Sequence, residues 1–122
     1  MSKCIILILF FSLTSFSCKQ PAIIESNEAV GLLENDDYYF LDVRTLKEHN
    51  TKSIPNTACI PVQKIEQRIE EIAQYKDKKI IVYCRSGNRS EIATKILIQN
   101  GFDAYNMLGG INEWKGEVNQ KR

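Results

Sequence analysis

The sequence predicts an α/β fold in which helices cover both faces of a small, mainly parallel sheet. Short strand-like runs alternate with segments of helical period along the chain, a succession typical of parallel sheets. The run at residues 79–84 is apolar on both faces, which is typical of a central parallel strand. The 122 residues are enough for one hydrophobic core and too few for two substantial ones.

Four segments are predicted to be strands, at residues 38–43, 58–61, 79–84 and 104–108. The first is rich in aromatic and branched residues and too short to form a helix of its own. The second ends at Pro61, because proline has no N–H group to donate to a neighbouring strand.

Helices are predicted from residue 26, at 45–49, at 62–72, from residue 90, and near Trp114. Ser26 or Asn27 caps the first helix. Apolar residues recur at three- and four-residue intervals from Val62 to Ile72, which indicates one amphipathic helix. The helix from residue 90 ends at Gly101, where glycine supplies a left-handed cap.

The composition argues against several classes of function. Hydrophobic residues at 43% and charged residues at 25% are ordinary for globular proteins. Lys3 is the only charged side chain of the first seventeen, so the remaining basic residues equal the 15 acidic ones. This balance argues against a nucleic-acid partner. No cluster of Cys, His and carboxylate residues has metal-ligand spacing, and we expect a monomer without metal or cofactor.

Residues 1–17 are predicted to be a signal peptide. Lys3 precedes an apolar run at residues 4–11, which continues through Leu13 and Phe16. The run is shorter than the ~20 residues that span a bilayer. We therefore expect export to the periplasm or cell envelope.

Cys18 is the expected site of lipid attachment. Residues 15–18 resemble a bacterial lipoprotein cleavage box, with Ser15 where leucine is usual. An unmodified cysteine beside an ordinary cleavage site is the alternative. The resulting division is a tether at 18–27, a folded domain at 28–118 and a polar tail at 119–122. With Cys4 removed, Cys59 and Cys84 remain in the domain, too few for a disulfide framework.

Cys84 is the candidate nucleophile because it ends the most buried strand, where ligands of parallel sheets bind. Six residues connect it to the next helix: Arg85, Ser86, Gly87, Asn88, Arg89 and Ser90. Gly87 can take the positive φ of a tight loop, whose N–H groups and helix dipole would bind an anionic donor. The dipole and the two guanidinium groups favour the nucleophilic thiolate. The alternative for Cys84 is a small buried apolar residue.

Several motifs, taken together, resemble the rhodanese family. They are Leu-Asp-Val-Arg at 41–44 with Glu48, Ile-Pro at 54–55 leading to Ile-Pro at 60–61, the loop at 84–90, and Leu-Gly-Gly-Ile at 108–111 with Trp114 and Gly116. The likeness covers residues 28–118. It implies that Cys84 takes sulfane sulfur from an anion such as thiosulfate as a persulfide and passes it to a thiol or cyanide-like acceptor.

The resemblance also implies supporting residues. Arg44 and Glu48 are expected to form an ion pair near the site, and Asp42 to be a buried carboxylate. The family commonly reads Gly-His-Ile-Pro-Gly-Ala where residues 52–57 read Lys-Ser-Ile-Pro-Asn-Thr. The one histidine, His49, lies elsewhere and is expected on the surface. A thiolate needs no general base, so the chemistry survives this difference.

Other interpretations remain open. A phosphatase or arsenate reductase of related fold holds five residues between its Cys and Arg, whereas four separate Cys84 from Arg89; the smaller ring suits a single bound sulfur. A non-catalytic binding module is a second alternative, although inactive members of such families typically lose the cysteine. Cys59 is expected to be a small buried residue, with a resolving role toward Cys84 as the alternative.

Overall fold

The computed structural model describes residues 22–121. Its strands are β1 Ala22–Glu25, β2 Tyr38–Asp42, β3 Lys52–Ser53, β4 Ala58–Cys59, β5 Lys79–Tyr83, β6 Asp103–Leu108 and β7 Asn119–Gln120. Its α-helices are α1 Ser26–Val30, α2 Leu46–Thr51, α3 Ile65–Arg68 and α4 Asn88–Gln99. Three segments are 3-10 helices: Val62–Lys64, Ile69–Tyr75 and Gly110–Glu113.

The main sheet contains five parallel strands in the order β1-β6-β5-β2-β4. Strand β5 is central, and its residues Ile80 to Tyr83 are all buried. This confirms the predicted parallel sheet and the central place of residues 79–84. All four predicted strands form, each within two residues of its expected limits.

Helices cover both faces of the sheet, as predicted. Because alternate residues of a strand face opposite sides, Ile80 and Val82 pack in one apolar cluster and Ile81 and Tyr83 in another. The first cluster lies against α3 and α4 through Ile65, Ala93 and Leu97. The second lies against α1 and the chain after β6 through Ala29, Ile111 and Trp114. Trp114 is therefore a core residue.

The tether predicted at 18–27 and the polar tail predicted at 119–122 are both wrong in part. Ala22–Glu25 pairs in parallel with Tyr105 to Leu108 of β6, and Asn119–Gln120 pairs antiparallel with β3. Both strands are short, and half or more of their residues are exposed, so they carry little hydrophobic signal. Their pairing depends on partners far away in sequence. The ordered fold therefore extends beyond the expected limits of 28–118.

The helix predicted at 62–72 is wrong as a single element. This stretch is a 3-10 turn, the four-residue α3 and a second 3-10 segment in succession. Ile65 and Ile72 are nevertheless buried, because the apolar spacing directs these side chains to the core in either helical form. Ser26 does not cap α1; its hydroxyl donates to the carbonyl oxygen of Gly110 at 3.3 Å.

The carboxyl ends of the parallel strands meet at one edge of the sheet, and Cys84 follows β5 directly at that edge. Ligands of open parallel sheets bind at such edges. Across residues 22–121, no helix has the length and apolar character needed to cross a membrane.

Candidate active site

The loop after β5 is held from behind by the chain that follows β6. The N–H groups of Ile111 and Asn112 donate to the carbonyl oxygens of Cys84 and Arg85, at 3.0 and 3.1 Å. Gly110 allows this approach, because a Cβ atom there would lie 2.5 Å from both carbonyl oxygens. The Leu-Gly-Gly-Ile motif is thus part of the site by geometry: it fixes the back of the loop.

Gly87 turns the loop into α4, with the positive φ of 111° that the sequence predicts. Its N–H donates to Cys84 Sγ at 3.1 Å, and the Ser90 hydroxyl oxygen lies 3.3 Å from the same sulfur. Cys84 itself is 1% exposed. The loop therefore wraps around its cysteine as expected.

The pKa of Cys84 is the result of two opposing effects. Burial raises it, but hydrogen bonds from Ser90, Gly87 and Ser86 outweigh burial and hold the pKa of the thiol below its usual value. The charge of Arg89 interacts with Cys84, in the direction that the sequence predicts, but the larger contributions are the local hydrogen bonds. The stabilisation comes first from local hydrogen bonds.

Arg89 is bound by a carboxylate rather than aimed at the centre of the loop. Its Nη1 and Nη2 donate to Glu48 Oε1 and Oε2 at 2.7 and 2.9 Å. The hydrogen bond from Arg89 lowers the pKa of Glu48 to about 2. The ion pair expected between Arg44 and Glu48 is therefore wrong in its partner. Glu48 links α2 to the start of α4 and fixes one side of the loop.

Arg44 pairs with Asp42 instead. The Arg44 backbone N–H and Nε donate to Asp42 Oδ1 at 2.9 and 3.0 Å, and Nη2 donates to Oδ2 at 2.7 Å. The same guanidinium donates to the carbonyl oxygen of Lys52 at 2.6 Å. Asp42 has no exposed surface, as expected of a buried carboxylate. Its pairing secures the turn after β2 beside the loop that follows β5.

His49 is not the exposed surface residue expected from the sequence. Its Nδ1 lies 2.9 Å from Asp42 Oδ2, and its side chain is only 18% exposed. A carboxylate can only accept, so Nδ1 carries the proton and donates. Helix α2 brings His49 to this carboxylate seven residues after Asp42, a spacing that has no local signature in sequence.

The structure places three possible metal-ligand atoms within 4.8 Å of one another, one each from Asp42, His49 and Cys59. Sequence spacing does not reveal this grouping. Both oxygens of Asp42 already accept hydrogen bonds, and the Arg44 charge lies against them. Burial raises the pKa of Cys59 to about 11, which keeps it a thiol. This donor set does not suit a divalent cation.

Cys59 does not face Cys84. In the sheet register Cys59 pairs with Asp42, and Asp42 pairs with Tyr83. Because side chains alternate along a strand, Cys59 faces the side of Tyr83, while Cys84 belongs to the opposite cluster. The geometry therefore argues against a resolving role for Cys59.

The remaining loop residues form an exposed rim. Arg85, Ser86 and Asn88 are exposed, whereas Gly87 and Ser90 are buried beside the sulfur. Within the part of the chain described here, no carboxylate lies within ion-pair distance of Arg85. An anion that approaches Cys84 thus meets Arg85 as an unneutralised guanidinium.

Asn106 is a site residue that the sequence interpretation missed. It lies in β6, is 5% exposed, accepts from the Ser90 hydroxyl at 2.6 Å and donates to the Gly87 carbonyl at 3.2 Å. A polar amide inside an otherwise apolar strand was the available signal, because buried polar side chains need partners.

The fold and site define a cysteine-centred loop on a parallel sheet, and comparison with known proteins identifies the class. A family profile described as "Rhodanese-like domain" matches residues 25–117. The chain belongs to this family, as the resemblance of its motifs predicted.

Similar proteins agree on the fold and differ in their described activities. A sulfurtransferase from Allochromatium vinosum is 37% identical over 84 residues, which are 68% of this chain and 77% of that protein. The crystal structure of a rhodanese-related protein from Thermoplasma volcanium has a TM-score of 0.74 and 29% identity, covering 82% of this chain and 99% of that one.

A tRNA uridine(34) hydroxylase from Cytophaga hutchinsonii is 33% identical over 92 residues, 72% of this chain but 30% of that protein. The chain thus spans about a third of the length of the hydroxylases that it matches.

Replacing Glu48 by Gln should remove an acid-sensitive contribution to stability. Because the pKa of Glu48 is lowered from 4.5 to about 2, its contribution is complete above pH 4.5 and is lost as the pH falls through about 2. Urea unfolding midpoints of the unmodified chain should therefore fall across this window, and those of Glu48→Gln should fall less.

Glu71→Gln is the matched control, because Glu71 pairs with Arg68 but its side chain is 54% exposed, and exposed pairs contribute little. An acid dependence in Glu48→Gln as steep as that of the unmodified chain would contradict the assigned Glu48–Arg89 pair.

Proposed function

We propose that this protein is a sulfurtransferase in which Cys84 carries sulfane sulfur as a persulfide. The observation that carries the proposal is the hydrogen bond from the Gly87 N–H to Cys84 Sγ at 3.1 Å, inside a loop that lowers the pKa of the thiol. A thiolate is the nucleophilic form of cysteine. Four residues rather than five separate Cys84 from Arg89, so we expect the loop to suit one additional sulfur rather than a tetrahedral oxyanion.

The reaction proceeds by two displacements at sulfur. The Cys84 thiolate attacks the outer sulfur of thiosulfate, a new S–S bond forms, and sulfite leaves with the electron pair of the broken bond. A thiolate or cyanide then attacks the outer sulfur of the persulfide. The Cys84 thiolate leaves and is ready for another cycle. Each electron pair comes from a reacting sulfur or carbon, so the cycle closes without an added oxidant or reductant.

Phosphatase chemistry is less well supported. It requires an arginine that points at the centre of the loop and binds the transferred phosphoryl group. Arg89 lies at the end of this loop, and Glu48 accepts hydrogen bonds from its Nη1 and Nη2. Only four residues separate it from Cys84. A binding module without catalysis would have no need of a hydrogen-bonded thiol of lowered pKa.

Cys84→Ser should abolish both steps. The full-length chain incubated with thiosulfate should gain the mass of one sulfur on the peptide that contains Cys84, and should form thiocyanate when cyanide is added. Cys84→Ser should do neither, while Cys59→Ser should do both, because Cys59 faces away from the loop. The readouts are peptide mass spectrometry and thiocyanate colorimetry.

Two other outcomes would contradict the proposal. Hydrolysis of an aryl phosphate without sulfur uptake would identify a phosphatase. Inertness of the unmodified chain in both assays would favour the binding module.

Arg85 should bind the anionic sulfur donor before the reaction. It is exposed at the rim of the loop, and exposed charge pairs contribute up to about 1 kcal/mol. Arg85→Ala should therefore raise KM for thiosulfate by up to about fivefold and leave kcat nearly unchanged. Lys95→Ala, an equal change of charge on α4, is the control. Equal KM values in all three chains would remove Arg85 from donor binding.

The cellular location is a separate proposal: residues 1–17 direct export, and Cys18 anchors the domain to a membrane through a lipid. Both segments lie outside the described residues, and the support is the apolar run and the cleavage-box pattern at residues 15–18. In bacterial cells, the chain should fractionate with membranes and incorporate labelled palmitate.

Cys18→Ala should lose the label and leave the membrane fraction, whereas Cys59→Ala should keep both. Labelling that persists in Cys18→Ala would exclude this anchor.

A further inference from the structure

A buried chain of hydrogen bonds lies behind Cys84, and neither displacement at sulfur uses it. Ser90 Oγ lies 3.3 Å from Cys84 Sγ and 2.6 Å from Asn106 Oδ1. Asn106 Nδ2 donates to the carbonyl oxygen of Gly87 at 3.2 Å. Ser90 is fully buried and Asn106 is 5% exposed, so these groups depend on one another for hydrogen bonds.

The partners of Asn106 fix the orientation of its amide. With the amide reversed, its oxygen would face the Gly87 carbonyl oxygen, and two acceptors would be in contact. Oδ1 therefore faces Ser90. Because Oδ1 can only accept, the single hydroxyl proton of Ser90 points to Asn106, and Ser90 presents a lone pair to Cys84.

This arrangement weakens the contribution of the Ser90 hydroxyl to the thiolate, while the backbone N–H groups of the loop still favour the ionised form. A Cys84 thiol can donate its proton to the lone pair of Ser90, which completes the chain of hydrogen bonds. A thiolate has no proton, so its hydrogen bond with Ser90 requires the hydroxyl to be the donor. The Ser90 proton must then turn from Asn106 to the sulfur, which leaves Oδ1 buried without a donor, an unfavourable state for a polar atom.

We propose that Asn106 is a positioning residue that limits the thiolate form of Cys84 by competing with the sulfur for the one hydroxyl proton of Ser90. On ionisation the Cys84 proton passes to solvent, the Ser90 proton turns to Sγ, and Asn106 Oδ1 loses its donor. This role rests on the proposed function, because limiting the thiolate would control the nucleophile of the sulfur transfer. The ionisation equilibrium itself needs no sulfur donor.

The charges around Cys84 come from the loop, from α4 and from the turn and helix that follow β2. They are Arg85, Arg89 with Glu48, and Asp42 with Arg44 and His49. Each of the two carboxylates is paired with a guanidinium. Neutral substitutions at Ser90 or Asn106 leave all these charges in place, so a shift in Cys84 ionisation does not come from an altered side-chain charge.

Substitutions at Ser90 and Asn106 should change the ionisation constant of Cys84 in opposite directions. Ser90→Ala removes one of the hydrogen bonds that lower the pKa of Cys84, so the constant should fall by about tenfold. Asn106→Leu removes the competing acceptor, so the constant should rise by up to about tenfold. The double variant should match Ser90→Ala, because the competition runs through the hydroxyl. An effect of Asn106→Leu in the Ser90→Ala background would instead report the lost hydrogen bond to the Gly87 carbonyl oxygen.

The measurement is the rate at which iodoacetamide alkylates Cys84 in the full-length chain as a function of pH. Peptide mass spectrometry separates Cys84 from the other cysteines. An ionisation constant that falls or stays unchanged in Asn106→Leu would overturn the proposal. So would an Asn106→Leu effect that is equally large in the Ser90→Ala background.

Asn106→Asp is a second test that remains available if Asn106→Leu does not fold. A carboxylate accepts the Ser90 proton more strongly than an amide does, so the ionisation constant of Cys84 should fall, and by less when Ser90 is Ala. A rise would overturn the proposal. If these shifts in ionisation appear without persulfide formation, the proposed sulfur transfer fails and this inference stands. If sulfur transfer occurs but the ionisation of Cys84 does not shift in these variants, sulfur transfer stands and this inference fails.

Discussion

A single backbone hydrogen bond, from the N–H of Gly87 to the sulfur of Cys84 at 3.1 Å, is the contact on which the site depends. It exists because Gly87 adopts a φ of 111°, which residues with a Cβ atom rarely adopt. Gly110 supports the loop from behind by allowing the chain after β6 to approach the carbonyl oxygens of Cys84 and Arg85. Two glycines on different elements thus shape the turn that holds Cys84.

Most of the charged side chains around this site pair with one another and hold backbone segments in place. Glu48 binds Arg89 and joins α2 to α4, while Asp42 binds Arg44 and His49 beside the turn after β2. Each pair neutralises its own charges. The stabilisation of a negative sulfur therefore comes first from local N–H and O–H groups, and Arg85 is the cation left at the rim. Local donors of this kind are already oriented before an anion arrives.

Much of the site could be predicted from local sequence. The strand at 79–84, the cysteine after it and the glycine turn lie within a few residues of one another, so their meaning does not depend on distant contacts. Partners from distant segments could not be predicted. Glu48 binds Arg89 across 41 residues, and Asn106 reaches Ser90 across 16. The marginal strand β1 forms only because β6 offers it a free edge.

The sequence by itself determined the α/β class, the central strand, the family and the position of Cys84 in a tight loop, because these follow from hydrophobic period, glycine conformation and short motifs. The tertiary structure decided which charges pair, that His49 is held by Asp42, that Cys59 faces away from Cys84, and that Asn106 accepts the hydrogen bond of Ser90. Hydrogen bonds and ion pairs are short-range, so their partners are fixed only when packing brings distant segments to within a few ångströms.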